Sequence, residues 1–137
     1  QELKQKIKVM FTVETLEYLY KGGRIGGATA FLGSALNIKP ILYIKDGRIE
    51  PLEKQRTRKH SISRLLELME ESVGNQPVHL AILHGNVPEE AYQMEQSIRS
   101  RFNCAELITS DMGPVIGVHA GPGTLGLVFY TNEERGA

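Results

Sequence analysis

The sequence predicts an α+β domain: a two-layer arrangement of a mixed, mostly antiparallel sheet with helices packed on one face. Three observations carry this. Residues 38–53 read as a β-hairpin around Asp46-Gly47, among the strongest short-range turn signals. Two amphipathic helical stretches, 58–73 and from Pro88 to about Phe102, are each followed by a strand-like run. Hairpin and β-α-β signals therefore occur in one chain, which excludes both an all-parallel sheet and an all-β sandwich.

The elements follow in order. Residues 1–6, QELKQK, are polar and read as a linker or N-terminal tail, leaving 7–137 as one domain. Residues 7–13, IKVMFTV, are rich in β-branched and aromatic types and read as a strand. Residues 14–21 read as a short helix with Glu14 and Glu17 near its start and Lys21 near its end, the distribution a helix dipole favours. Gly22-Gly23 terminates it. In 27–37, Ala28, Phe31, Leu32, Ala35 and Leu36 fall at helical spacing, and the segment carries no charge. It is predicted to be a helix buried on more than one side. The hairpin strands are 38–45 and 48–53, and Pro51 places the second at a sheet edge. Helix 58–73 buries Ile62, Leu65, Leu66, Met69 and Val73; strand 78–84 follows; Pro88 opens the next helix at its preferred first position. Strands 104–109 and 124–130 complete the set.

Composition bounds the function. The 137 residues suit one core. Lys plus Arg and Asp plus Glu both number 16, so a nucleic-acid binder working through net charge is not expected. The balance is uneven along the chain: residues 1–66 sum to +7 and 67–137 to −7, which could create two oppositely charged faces or cancel on folding. The lone Cys104 cannot form an internal disulfide, no apolar run reaches a membrane span and no signal-peptide pattern is visible, so the cytoplasm is the expected compartment. A start at Gln1 is read as a processed chain or a piece of a longer one.

Three constellations could carry chemistry. Gly22-Gly23-Arg24-Ile25-Gly26-Gly27 offers backbone N–H groups and a guanidinium fork suited to a carboxylate or phosphate, or simply glycine caps between helices. His119 stands beside the rigid Gly121-Pro122-Gly123 turn, as an anion donor, a proton carrier or a structural residue. Lys54, Arg56 and Arg58 alternate, which in an extended segment gives a basic face for an acidic partner, or a solvated strand end. Gly121–Gly126 spells G-x-G-x-x-G but precedes a strand and not a helix, which rejects a dinucleotide fingerprint. His79 and His84 point to opposite faces of one strand and cannot share a metal, and no metal site or complete catalytic constellation is found.

The run LEYLYKGGRIGGATAFLGSALNIKPILYIKDGRIEPLEKQRTRK, with LAILHGN and MGPVIGVHAGPGTLGLVFY, resembles the DegV family of bacterial fatty-acid-binding proteins from about residue 8 to 130. The resemblance implies the C-terminal domain of a two-domain protein about twice this length. It implies a long-chain fatty acid lying between the domains, with hydroxyl residues of the N-terminal domain on its carboxylate and Arg24, His119, Gly23 and Gly121 near the head group or a kinase. The function implied is that of a non-enzymatic lipid-binding subunit. Such a subunit presents the carboxylate to an ATP-binding fatty acid kinase subunit for acyl-phosphate formation and phospholipid synthesis, without a cofactor. Phe31, Leu32, Ala35 and Ile116 are expected along the acyl tail and Lys54, Arg56 and Arg58 at the kinase. Gly26-Gly27 departs from a bulkier pair common in relatives. Two other readings stay open: an enzyme acting on a small carboxylated or phosphorylated metabolite, with Arg24 binding and His119 as acid or base, and a protein-interaction module docking through 54–59.

Overall fold

A computed structural model describes residues 7–34, 38–113 and 119–132. The elements run β1 (Lys8–Thr12), α1 (Glu17–Lys21), a 3-10 helix (Gly26–Phe31), β2 (Ile41–Lys45), β3 (Arg48–Glu53), α2 (Arg58–Val73), β4 (Val78–His84), α3 (Pro88–Arg101), β5 (Cys104–Asp111) and β6 (Leu125–Thr131). One six-stranded sheet has the order β3-β2-β1-β6-β4-β5. Every pairing is antiparallel except β4 with β5, which α3 joins as a β-α-β unit.

Local chemistry explains the edges of this sheet. Asp46 (φ 53°) and Gly47 (φ 77°) both take positive φ, the turn that matches strand twist in a two-residue hairpin. Edge strand β3 carries Pro51 as expected. Ile41 pairs with Glu53 but Leu42 with Pro51, so Leu52 is an unopposed extra residue and a bulge forms beside the proline.

The two sheet faces differ. α2 and α3 cover one, where Leu65, Met69, Met94 and Ile98 pack on Ile41, Val78, Ile82, Leu127 and Phe129. α1 and the 3-10 helix lie on the other, over Phe11 and Leu42, through Leu19, Ile25 and Ala28. The two long helices thus share a face, as the sequence predicts, while the short helical pieces cover only part of the opposite one.

The 27–37 segment departs from its predicted form. It is a single 3-10 helix to Phe31, and Leu32 is 45% exposed. Gly26 sits at φ 57°, and a Cβ there would lie 2.6 Å from the Ile49 carbonyl oxygen; a Cβ on Gly27 would collide with Glu50 Oε1. The glycine pair thus permits close seating on β3, and the described part of the segment, to Ser34, contains no α-helix. Ala35 and Leu36 lie outside the described residues.

The charged halves do not separate cleanly. Arg58 of the positive half pairs with Glu90, and Arg64 with Glu67 and Glu71, across the division. Among the described residues no helix is long and apolar enough to cross a membrane.

Candidate functional site

The sheet face opposite α2 and α3 holds an apolar cleft of about 610 Å³. Strand alternation builds its floor: Val9 and Phe11 of β1, Ile44 of β2, Leu83 of β4, and Gly126 and Val128 of β6 turn to this side. Register extends the apolar character across the sheet. Ile49 opposes Ile44; Val9 opposes Val128; Val128 opposes Ala81; Ala81 opposes Ile108. Ile44 and Val9 lie one step beyond the Met10–Tyr43 pair, which closes a row through all six strands. Ile44 is 40% and Ile108 56% exposed, so this face carries open apolar surface.

Among the described residues, Arg24, Arg48 and His119 are the cationic or titratable side chains that line the cleft, and no Asp or Glu is in its wall. Arg24 is placed by the end of α1. Gly23 takes φ 72°, its N–H donates to Tyr20 O (3.2 Å), and Arg24 N–H donates to Leu19 O (2.9 Å). This is the Schellman arrangement, and Gly22 N–H donates to Tyr18 O (3.0 Å). The amides of Gly22, Gly23 and Arg24 are therefore spent on the helix end. This half of the glycine loop is thus a helix cap and offers no converging N–H groups, and the side chain it brings to the cleft is Arg24. That side chain is exposed and donates from Nη1 to Gly22 O (3.0 Å).

His119 comes from the far end of the chain onto the same loop. A Cβ on Gly22 would lie 3.2 Å from His119 Nδ1, and that nitrogen is buried with no hydrogen-bond partner among the described residues. His119 also lines a second, smaller cleft with Glu17, Tyr18, Lys21 and Gly22. The turn behind it is fixed by backbone bonds. Gly123 N–H donates to Gly85 O (2.7 Å), Gly85 N–H donates to Thr124 O (2.8 Å), and Thr124 Oγ1 donates to Gly121 O (2.8 Å). Gly85 has no room for a side chain, since its Cβ would lie 2.9 Å from Gly121 O.

The remaining expected site residues are elsewhere. Phe31 is half-buried beneath Lys54, whose Nζ is 5.8 Å from its ring centroid, and neither Phe31 nor Leu32 lines the cleft. The apolar wall is made by strands instead. Ile116 and Ala35 lie outside the described residues. Lys54, Arg56 and Arg58 do not form one extended face, because β3 ends at Glu53 and α2 starts at Arg58. Arg58 turns inward: it donates from Nε and Nη2 to Glu90 (2.8–3.1 Å) and from Nη1 to Glu14 (3.3 Å). Lys54 donates to Ser34 Oγ (3.2 Å), and Arg56 is exposed.

The sequence alone does not mark Arg48, Leu83 or Gly85, and Gly126 stands out there only as the end of the rejected G-x-G-x-x-G pattern. The alternation of VHLAILH does put Leu83 opposite the buried Ile82 and so was a usable signal; nothing local marks Arg48. Among the described residues no group of three or more His, Cys, Asp or Glu could hold a metal. Cys104 is half-buried and burial pushes its thiol pKa up, which disfavours the reactive thiolate.

Comparison with known proteins gives the family and the fold. Residues 1–132 match a family described as uncharacterised protein, DegV family. A DegV domain-containing protein of Streptomyces coelicolor is 48% identical over 119 residues, covering 86% of this chain and 42% of the relative. Protein DegV of Bacillus subtilis is 40% identical over 130 residues, 94% of this chain and 46% of the relative. The chain thus spans about half the length of the curated relatives it matches. A structure described as fatty acid binding of a DegV family protein from Thermus thermophilus superposes with a TM-score of 0.86 at 35% identity, over 92% of this chain and 46% of that one. That of DegV, a fatty acid binding protein from Bacillus subtilis, gives 0.79 at 38% identity, over 91% and 45%.

Proposed function

Because the chain belongs to the DegV family, we propose that it is a fatty-acid-binding domain that shelters a long acyl chain on the open sheet face and holds the carboxylate end near Arg24 and His119. The observation that carries this is the pairing of an apolar cleft of about 610 Å³ with a rim of Arg24, Arg48 and His119 and, among the described residues, no carboxylate in its wall. Burial of each methylene contributes about 0.8 kcal/mol, so a long tail needs apolar surface and little else. An ionised head group needs cationic or N–H donors, because an uncompensated buried charge is costly. The fatty-acid-binding descriptions of the Thermus thermophilus and Bacillus subtilis structures support the reading.

In this reading the chain is not itself the enzyme. An N-terminal domain covers the open face and completes the pocket. An ATP-binding kinase subunit phosphorylates the presented carboxylate, and the resulting acyl phosphate feeds phospholipid synthesis. Arg24 and His119 stand on the rim where such a partner would reach the head group. Lys54 and Arg56 supply exposed positive charge for its docking, whereas Arg58 is held inside.

Native mass spectrometry of the full-length polypeptide tests the ligand class. A co-purifying fatty acid is the expected result; a bound polar metabolite in its place would refute the proposal.

A further inference from the structure

The turn that carries His119 is backed by a cluster of four charges. Gly123 sits at φ 90°, and a Cβ on it would lie 3.0 Å from Glu14 Cβ, 3.6 Å from Glu14 Cγ and 3.8 Å from Arg58 Nη1. The stem of Glu14 therefore packs directly behind Gly123. Both oxygens of its carboxylate are held, Oε1 by Arg58 Nη1 (3.3 Å) and Oε2 by Lys39 Nζ (3.0 Å). Lys39 Nζ also donates to the Glu14 carbonyl oxygen (3.3 Å). Arg58 is fixed in turn by its Nε and Nη2 bonds to Glu90.

The charges alternate in the order Lys39, Glu14, Arg58, Glu90, and tie the link after β1 to the approach to β2 and to the first turns of α2 and α3. The Lys39 and Arg58 side chains are only 20% and 18% exposed. Ion pairs so withdrawn from water add little net stability, and what such a cluster supplies is fixed geometry. That geometry reaches His119 through the turn itself. Thr124 Oγ1 donates to Gly121 O (2.8 Å) and lies 3.2 Å from Ala120 O, which closes the turn, so that Gly123 and His119 move as one unit. Tyr18 meets this unit at Gly121 and Glu14 meets it at Gly123. We infer that Glu14 is a positioning residue for His119: its stem, pinned by Arg58 and Lys39, seats Gly123 and so fixes the imidazole at the rim of the cleft. The inference rests on the head-group reading of His119 and adds to it the residues that set where the ring stands.

The test follows the His119 ring resonances in the full-length polypeptide. Those of His79, which is tied to Glu106 and Asn132 at the other end of β4, are the control. Glu14→Ala removes the pinned carboxylate and the stem beyond Cβ, and is expected to move the His119 resonances and leave those of His79 in place. Arg58→Lys keeps the charge, but one ammonium cannot bridge Glu14 and Glu90 as the guanidinium fork does. It is expected to move the His119 resonances in the same direction and by less. With the kinase subunit, Glu14→Ala is expected to lower kcat for acyl-phosphate formation at least about threefold with KM for the lipid-loaded protein unchanged. Lost stability alone does not produce that split. His119 resonances unmoved in both variants overturn the inference while leaving the lipid reading standing. Moved resonances with unchanged kcat support the placement by Glu14 and overturn the head-group role of His119. If Glu14→Ala does not fold, Arg58→Lys decides the question alone.

Discussion

The ring of Tyr18 lies directly on Gly121: a Cβ added to that glycine would stand 2.5 Å from Tyr18 Cδ1. Beside it, His119 Nδ1 packs over Gly22. Two glycine motifs almost a hundred residues apart in sequence therefore interlock, the first ending α1 and the second carrying His119. Gly121 also takes φ 94°, where a side chain is strained. Gly121→Ala is expected to cost about 2 kcal/mol of stability through this clash and strain, and to displace His119 with the turn. Thermal unfolding reads the first effect. A change in the His119 ring resonances, with those of His60 unchanged, reads the second.

Arg24 and His119 are expected to separate holding a lipid from delivering it. Arg24 is exposed and its side chain hydrogen-bonds within its own loop, so Arg24→Ala should leave the melting temperature unchanged within about 2 °C. The acyl chain should still co-purify, because the floor of the cleft is untouched. Acyl-phosphate formation with the kinase subunit should fall at least about tenfold in Arg24→Ala and in His119→Ala. Full activity in both variants would remove these residues from the head-group role.

The basic segment divides at Arg58. Arg56 is exposed with no carboxylate partner among the described residues, whereas the Arg58 side chain is only 18% exposed and joins Glu14 to Glu90. Arg56→Glu should weaken kinase association most at low salt and hardly at all at high salt, with unchanged stability. Arg58→Ala should instead lower stability by about 1 kcal/mol, because Glu90 loses its arginine partner and Glu14 keeps only Lys39. Binding measured across ionic strength, together with denaturant unfolding, distinguishes the two; salt-independent binding in Arg56→Glu would end the docking assignment.

This division shows what the sequence made legible and what it did not. Periodicity and turn chemistry reported α2, α3, the Asp46-Gly47 hairpin and the edge position of Pro51, because those depend on residues adjacent in the chain. Arg24 and His119 were visible as unusual residue types beside glycines. Phe31 and Leu32, where helical spacing suggests an apolar wall, do not line this cleft, since that spacing says nothing about whether Gly26 and Gly27 will seat the segment on β3. The wall came from single residues on separate strands, such as Val9, Leu83 and Val128, which share a face only once strand order and register are fixed. Arg48 reaches the rim because its hairpin folds over the Gly26 loop, and Arg58 leaves the basic face because a helix begins there; both are tertiary facts.

Acid stability should report one further ion pair away from the cleft. Arg64 donates from Nε to Glu53 Oε1 and from Nη2 to Glu53 Oε2, both at 2.9 Å, and Gln55 Nε2 adds a bond to Oε1 at 3.1 Å. The Arg64 hydrogen bonds hold the Glu53 carboxyl below its usual range against a smaller opposing effect of burial. A depressed folded value means that Glu53 stabilises the fold above its unfolded pKa of about 4.3, and that this contribution is lost as pH falls below that value and through the lower folded one. Glu53→Gln removes the charge and with it the dependence. The unaltered protein should therefore melt higher than Glu53→Gln at pH 7, by about 2 °C given the partial solvent screening of the pair. The two should converge as pH falls below about 4. Melting curves for both across acid to neutral pH decide it: a gap that stays constant or widens on acidification would show that the Arg64–Glu53 pair does not set the carboxyl's affinity for its proton.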